Sequence, residues 1–213
     1  MSDVPEIAPE LSEGDARRLA QCLAGEGICL FPADTVYGLG CDPASRRALS
    51  RLYELKGRPP QRPAAVMFFS LQAALEALPE IAPREHTAIL ALLPGPLTLL
   101  LNNPRRRFPL ACGPDPLTLG IRVPLLSGAL AALQNVRVPV VQTSANHSGQ
   151  PDARRLSEVP GTLLQQVDLV LDGGELPGTP STVLDLRDYE RDGEWRVLRE
   201  GPVGDGELRR ALG

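Results

Sequence analysis

Residues 56–63 read KGRPPQRP, with three cations within seven residues on a stretch that glycine and prolines stiffen. Positive charge held in a fixed arrangement suits phosphate oxygens. Arginine gives a forked contact, and lysine a compact point charge that can follow charge developing on a phosphoryl group. A solvated turn would have the same composition, so the stretch alone leaves both readings open. Lys56 is also the only lysine among 22 Lys plus Arg residues.

A second polar stretch, TSANHSG (143–149), carries three hydroxyls, an amide and an imidazole. Loops of this kind bind phosphate or metal-bound water through hydroxyl and backbone N–H groups. Ser144, His147 and Asp152 do not read as a hydrolase triad, because the G-x-S-x-G elbow is absent and residues so close in sequence rarely align as a relay. PADTVYGLG (32–40) and PSTV (180–183) complete a set of four polar stretches at strand ends, where α/β proteins build ligand sites. Arg122 interrupts the apolar run LGIRVP, and a charge there must find a partner or an anionic ligand. The sequence has no G-x-x-x-x-G-K-[ST], no G-x-G-x-x-G after a strand and no S-x-x-K, so a nucleotide would have to be bound in another way.

The elements that must position these groups alternate irregularly between strand and helix. Ser12 and Asp15 form a capping-box pattern ahead of Ala16, Leu19, Ala20 and Leu23, which predicts a first helix before Gly25. GICLFP (27–32) reads as a buried strand. ADTVYGLGCDP then leads into a helix capped by Asp42 with Pro43 at its first position, which stops at Gly57 and places Lys56 at its exit. Strands are predicted at 64–69, 97–101, 118–124 and 138–143, and further ones in DLVLDG, TVLDLR and WRVLREG. Helices are predicted in SLQAALEAL, in REHTAILALL (which holds His86 as a packing or surface residue) and near 127–134. The pattern implies an α/β fold, a mixed sheet covered by helices, in one domain over 1–213.

A chain of 213 residues with 43% hydrophobic and 23% charged residues can bury one substantial core. Its net charge of -4 repels polyanions, so nucleotide or nucleic acid must meet a local basic site. Arg105-Arg106-Arg107 reads as a solvated loop rather than such a site. Cys22, Cys29, Cys41 and Cys112 lack any C-x-x-C pair and read as small hydrophobes. The acidic start MSDVPEIAPELSEGD is unlike a secretory signal, and no apolar run is long enough to cross a membrane, so a cytoplasmic protein is expected.

PADTVYGLG, KGRPPQRPAAVM, LPGPLTLLL, LGIRVP, TSANHSGQP, STVLDL and VLREGPV, in this order over roughly residues 12–203, resemble the YrdC family of threonylcarbamoyl-AMP synthases. The resemblance implies a twisted mixed sheet with flanking helices around a deep, positively lined cavity. It also implies formation of threonylcarbamoyl-AMP and pyrophosphate from L-threonine, bicarbonate and ATP. The product would pass to a tRNA threonylcarbamoyl transferase complex, which modifies the adenosine beside the anticodon, and direct tRNA contact is possible. By motif position, Lys56, Arg58, Ser144 and Asn146 would form the catalytic core. Lys56, Arg58, Arg62, Thr118, Ser144, Asp152 and Arg199 would contact ATP, whose phosphates would hold Mg²⁺, with no protein metal ligands. Thr35, Met67, Arg122, Gln142 and Ser181 would line the threonine pocket, with Arg122 on the carboxylate.

Ala33 stands where the family commonly has threonine, Ala64 where leucine usually follows proline, and Arg62 where asparagine or lysine is frequent. Amino-acid selectivity is therefore less firmly implied than ATP use. Ending at Gly213, the chain is expected to be the short form without an extra C-terminal domain. Two alternatives stand beside this reading: synthesis of another carbamoyl adenylate, and a non-catalytic RNA-binding or ribosome-associated role.

Overall fold

A computed structural model describes residues 10–213; residues 1–9, most of the acidic stretch read against a secretory signal, lie outside the described residues. In chain order the elements are α1 (Glu13–Ala24), β1 (Cys29–Pro32), β2 (Tyr37–Cys41), α2 (Arg46–Lys56), β3 (Ala65–Met67), α3 (Leu71–Ala77) and α4 (Pro83–Leu92). Then come β4 (Leu97–Asn102), β5 (Thr118–Arg122), a 3₁₀ helix (Gly128–Asn135), β6 (Val140–Ser144), a 3₁₀ turn (Leu156–Glu158) and α5 (Gly161–Leu164). The chain finishes with β7 (Leu169–Val170), β8 (Thr182–Asp185), α6 (Tyr189–Asp192), β9 (Arg196–Arg199) and α7 (Asp205–Leu212). Among the described residues, nine strands form one sheet in the order β7-β1-β2-β6-β3-β5-β4-β8-β9. The pairs β1/β7, β3/β5 and β4/β8 are parallel and the others antiparallel, which is the mixed sheet expected.

Local chemistry explains where the helices start and stop. The Ser12 side chain accepts from the Asp15 N–H at 3.2 Å while the Asp15 carboxylate accepts from the Ser12 N–H at 3.0 Å, closing the box read from the sequence. Helix α2 begins later than Asp42 and Pro43 suggested. Asp42 instead accepts from the Ala44 N–H at 2.8 Å in a turn ahead of the helix, and Ser45 is the cap, taking the Ala48 N–H at 3.1 Å. The helix stops as expected at Gly57, whose φ of 59° is the left-handed conformation that glycine adopts without strain.

Strand β2, sequence YGLGC, reads as a connection but pairs on both sides. Its glycines hide it. A Cβ on Gly38 would stand 2.4 Å from Gln142 Nε2, and one on Gly40 would stand 2.5 Å from a Val140 methyl. Side chains of β6 lie across the glycine track, so the strand lacks the β-branched residues that usually announce one.

On the other half of the sheet, alternation separates two faces. Leu97, Leu99 and Leu101 of β4, Leu119 and Ile121 of β5 and Leu184 of β8 are buried in the core, each contributing roughly 2 kcal/mol of burial. The residues between them, including Thr98, Arg122 and Val183, point the other way. Cys29, Cys41 and Cys112 are buried and unpaired, as small hydrophobes should be, and His86 is half-buried in α4. Arg107 of the triple-arginine run is pinned to Glu80 at 2.9 Å. No helix among the described residues is long and apolar enough to cross a membrane.

Candidate active site

Strand register sets residues of six adjacent strands in a row across the sheet. Gln142 (β6) lies opposite Ala65 (β3), and Met67 of β3 opposite Arg122 (β5). Thr98 (β4) lies opposite Val183 (β8), which in turn lies opposite Arg199 (β9). All but Met67 line a cavity of about 320 Å³, walled by the 58–64 loop, residues 143–152 and Pro180–Ser181. Five cations, Lys56, Arg58, Arg62, Arg122 and Arg199, face it against one carboxylate, Asp152. The four polar stretches of the sequence therefore do converge.

Lys56 joins two of them. Only 2% exposed, its ammonium donates to Asn146 O at 2.7 Å, to Asn146 Oδ1 at 3.0 Å and to Ser144 O. All three N–H groups are thus committed to the 144–146 turn, and the Lys56 carbonyl accepts the Ser148 N–H at 3.0 Å. The side chain lends its charge to the cavity while its hydrogen bonds shape the opposite wall, a narrower part than that of a free phosphate-following cation. Burial, then neighbouring Arg58 and Arg62, push its titration down to about 8 against the pull of Asp152.

The turn that Lys56 holds is itself a network. Ser144 Oγ donates to Asn146 Oδ1 at 2.7 Å, and Asn146 Nδ2 donates to Gln150 O at 2.5 Å and to Asp152 Oδ1 at 3.0 Å. Because Asn146 is oriented from three directions, the Ser144 hydroxyl has a fixed place at the cavity wall. Across the cavity, Arg199 grips Ser181 O with Nε at 3.1 Å and Nη2 at 2.7 Å, and Ser181 Oγ meets Thr98 Oγ1 at 2.8 Å.

Arg122 finds an internal partner. Its Nη2 donates to Asp34 Oδ1 at 2.6 Å and to Thr35 Oγ1 at 2.5 Å, and its Nη1 to Gln142 Oε1 at 3.3 Å. Asp34 also accepts the Leu125 N–H at 3.0 Å. Arg122 Nε is buried and without a partner, as is Arg58 Nε. Each guanidinium group thus keeps one donor unused, and both residues line the cavity.

Thr118, Thr35 and Met67 are not among the cavity-lining residues. Thr118 sits four residues before Arg122 on β5, roughly 13 Å along the strand, and its hydroxyl donates to Asp115 at 2.6 Å and accepts from Arg187 at 3.2 Å. Thr35 acts behind the wall through Arg122, and Met67 is fully buried within the row. His147 meets Thr162 at 3.0 Å rather than Ser144, so no triad forms. Asp34, Thr98 and Ser148 are site residues that lie inside the quoted motifs but were given no role from them. Only Asp34 carried a signal, since a buried Arg122 demanded a counter-charge.

The family model for Sua5, YciO and YrdC proteins, described as telomere recombination, matches residues 21–201. The threonylcarbamoyl-AMP synthase of Pyrococcus abyssi is 33% identical over 100% of this chain, which spans 62% of that relative's length. The threonylcarbamoyl-AMP synthase of Methylobacillus flagellatus is 30% identical over 80% of this chain and 94% of its own. Among solved structures, Pyrococcus abyssi Sua5 complexed with L-threonine superposes with a TM-score of 0.79 at 30% identity, covering 95% of this chain and 58% of that one.

Proposed function

The chain belongs to the Sua5, YciO and YrdC family, and from that premise we propose that it is a threonylcarbamoyl-AMP synthase that joins L-threonine, bicarbonate and ATP and releases pyrophosphate. One observation supports this above the rest: the strand row brings Arg122 and Arg199 to the same cavity into which the 58–64 loop brings Arg58 and Arg62. Two relatives that the chain matches carry this activity in their names, and one solved relative holds threonine.

The chemistry asks for such an arrangement. An oxygen of the carbamate formed at the threonine amine attacks the α-phosphorus of ATP. The P–O bond to pyrophosphate breaks, and its electron pair leaves with pyrophosphate. Two anions must approach each other, so fixed cations that cost no reorganisation lower the barrier. Arg122, oriented by Asp34, Thr35 and Gln142, would take the threonine carboxylate. Ser181 and Thr98 would bound the side-chain end, with Met67 as apolar backing. Arg58, Arg62 and Arg199 would meet the phosphates, while Lys56 would hold Ser144 and Asn146 beside them. Thr118 is engaged elsewhere and receives no role.

Among the described residues no cluster of His, Cys, Asp or Glu could hold a metal ion alone. A Mg²⁺ would come with the ATP phosphates, and Asp152 and Ser144, which line the cavity, would hold its waters. When bound, the ion would offset charge on the departing pyrophosphate. Ala33 is fully buried, donates its N–H to Val36 O at 3.3 Å, and is not among the cavity-lining residues. The product, a mixed anhydride, would go to a separate tRNA-modifying transferase in the cytoplasm.

The test is pyrophosphate release from ATP and Mg²⁺ with bicarbonate and each amino acid in turn. Release that requires both threonine and bicarbonate is expected. Release with carbamoyl phosphate but not with threonine, or RNA binding with no release under any condition, would overturn the assignment.

A further inference from the structure

Tyr53 lies one turn before Lys56 on α2, is 5% exposed, and has no place in the chemistry above. The loop that carries Arg58 and Arg62 is nevertheless folded around it. The Arg58 guanidinium lies 5.5 Å from the centroid of the Tyr53 ring. The Tyr53 hydroxyl donates to the Arg62 carbonyl at 3.0 Å, and the Tyr53 carbonyl accepts the Arg58 N–H at 2.9 Å. Arg58 Nη2 then closes the loop on Pro63 O at 2.5 Å.

Two like charges on one short loop repel each other before any ligand arrives. Burial lowers the proton affinity of Arg58, and Arg62 lowers it further. The negative face of an aromatic ring offsets part of that penalty without neutralising the charge, which a carboxylate partner would do. Burial also pushes the Tyr53 phenol up, so its hydroxyl stays a proton donor to the loop.

We propose that Tyr53 is a positioning residue for anion binding, its ring carrying Arg58 and its hydroxyl clasping the backbone at Arg62, so that both guanidinium groups stand ready for the triphosphate. The assignment rests on the synthase reading for the identity of the anion. It goes beyond it by placing the specificity for phosphate in a residue that touches no substrate.

A residue that merely fills the core would change stability without choosing among ligands, and this separates the two roles. Tyr53→Phe and Tyr53→Leu are compared with wild type by calorimetric affinity for ATP, pyrophosphate and threonine, alongside thermal unfolding. Tyr53→Leu should weaken ATP and pyrophosphate about tenfold and leave threonine affinity within about twofold. Tyr53→Phe keeps the ring and should restore most of the loss, leaving about a threefold deficit from the missing tether. A folded Tyr53→Leu protein with unchanged anion affinity, or one that loses ATP and threonine equally, would overturn the proposal. Should Tyr53→Leu not fold, a Tyr53→Phe protein that binds both anions as wild type does would overturn it as well. Wild-type protein that binds neither ATP nor pyrophosphate would instead overturn the synthase reading.

Discussion

Replacing Lys56 by arginine keeps the charge and changes only the shape that carries it. The ammonium nitrogen is tetrahedral, and its three protons reach Ser144 O, Asn146 O and Asn146 Oδ1, which converge on it from different sides. A guanidinium donates within one plane and cannot serve all three. One buried carbonyl left without a donor costs about 1–3 kcal/mol. Forcing a larger head into a site that is 2% exposed adds about 1–3 kcal/mol. A net loss of about 3 kcal/mol corresponds to a drop of roughly 6–12 °C in unfolding midpoint for a chain of this size. Because the same substitution displaces Ser144 and Asn146, turnover should fall about a hundredfold. Denaturant unfolding and pyrophosphate release on one preparation measure both. If Lys56→Arg unfolds within about 1 kcal/mol of wild type and keeps its turnover, shape is not why this one lysine stands in an arginine-rich chain.

Proton linkage gives a second test: the folded state releases the Lys56 proton near pH 8 and the unfolded chain only near 10.5, so across that window the unfolded state binds more protons and this group makes stability rise with pH. ATP affinity should fall over the same window as the cavity loses a charge, and affinity that stays flat to its upper end would contradict the assignment. Arg122→Met strands the Asp34 carboxylate, whose side chain is 7% exposed, and should cost about 3–5 kcal/mol together with threonine binding; unfolding unchanged from wild type would show that the pair does not hold the site. Tyr37→Phe removes a hydroxyl whose one proton is shared between Asp172 Oδ1 and Gly174 O and which accepts from the Gly173 N–H. It should cost about 1–3 kcal/mol in urea without altering ATP affinity, and a selective loss of ATP binding would refute that separation.

The parts of this protein that could be read from sequence are those specified locally. The Ser12–Asp15 box, the stop at Gly57 and the leucine alternation of β4 need only neighbours in the chain. Strand β2 escaped because Gly38 and Gly40 answer to β6 rather than to their own segment. Asp42 misled for a related reason: Asp42 and Ser45 both suit a cap, and which one the helix uses depends on the turn between them. In the site, the motifs brought the right stretches together but not the contacts. Thr98 is one polar residue in LTLLL until pairing with β8 and β5 aligns it with Val183 and sets it near Arg122. Thr118 shares a strand and a face with Arg122 and is still a cavity's length away.

The strand order has a cost that falls before any substrate is met. Strand β6 lies between β2 and β3, with Ser144 opposite Gly38 and Gln142 opposite Ala65, so the cavity floor joins segments that are far apart in the chain. Contacts of such long range form slowly, because loop-closure entropy is spent before they reward it. Until β6 inserts, β2 and β3 are open edges with unpaired backbone groups, and open edges recruit strands from other molecules. The interval in which this protein is most vulnerable to aggregation is therefore spent in assembling its anion site, and a nascent chain that has not yet released residue 144 has no floor on which to build it.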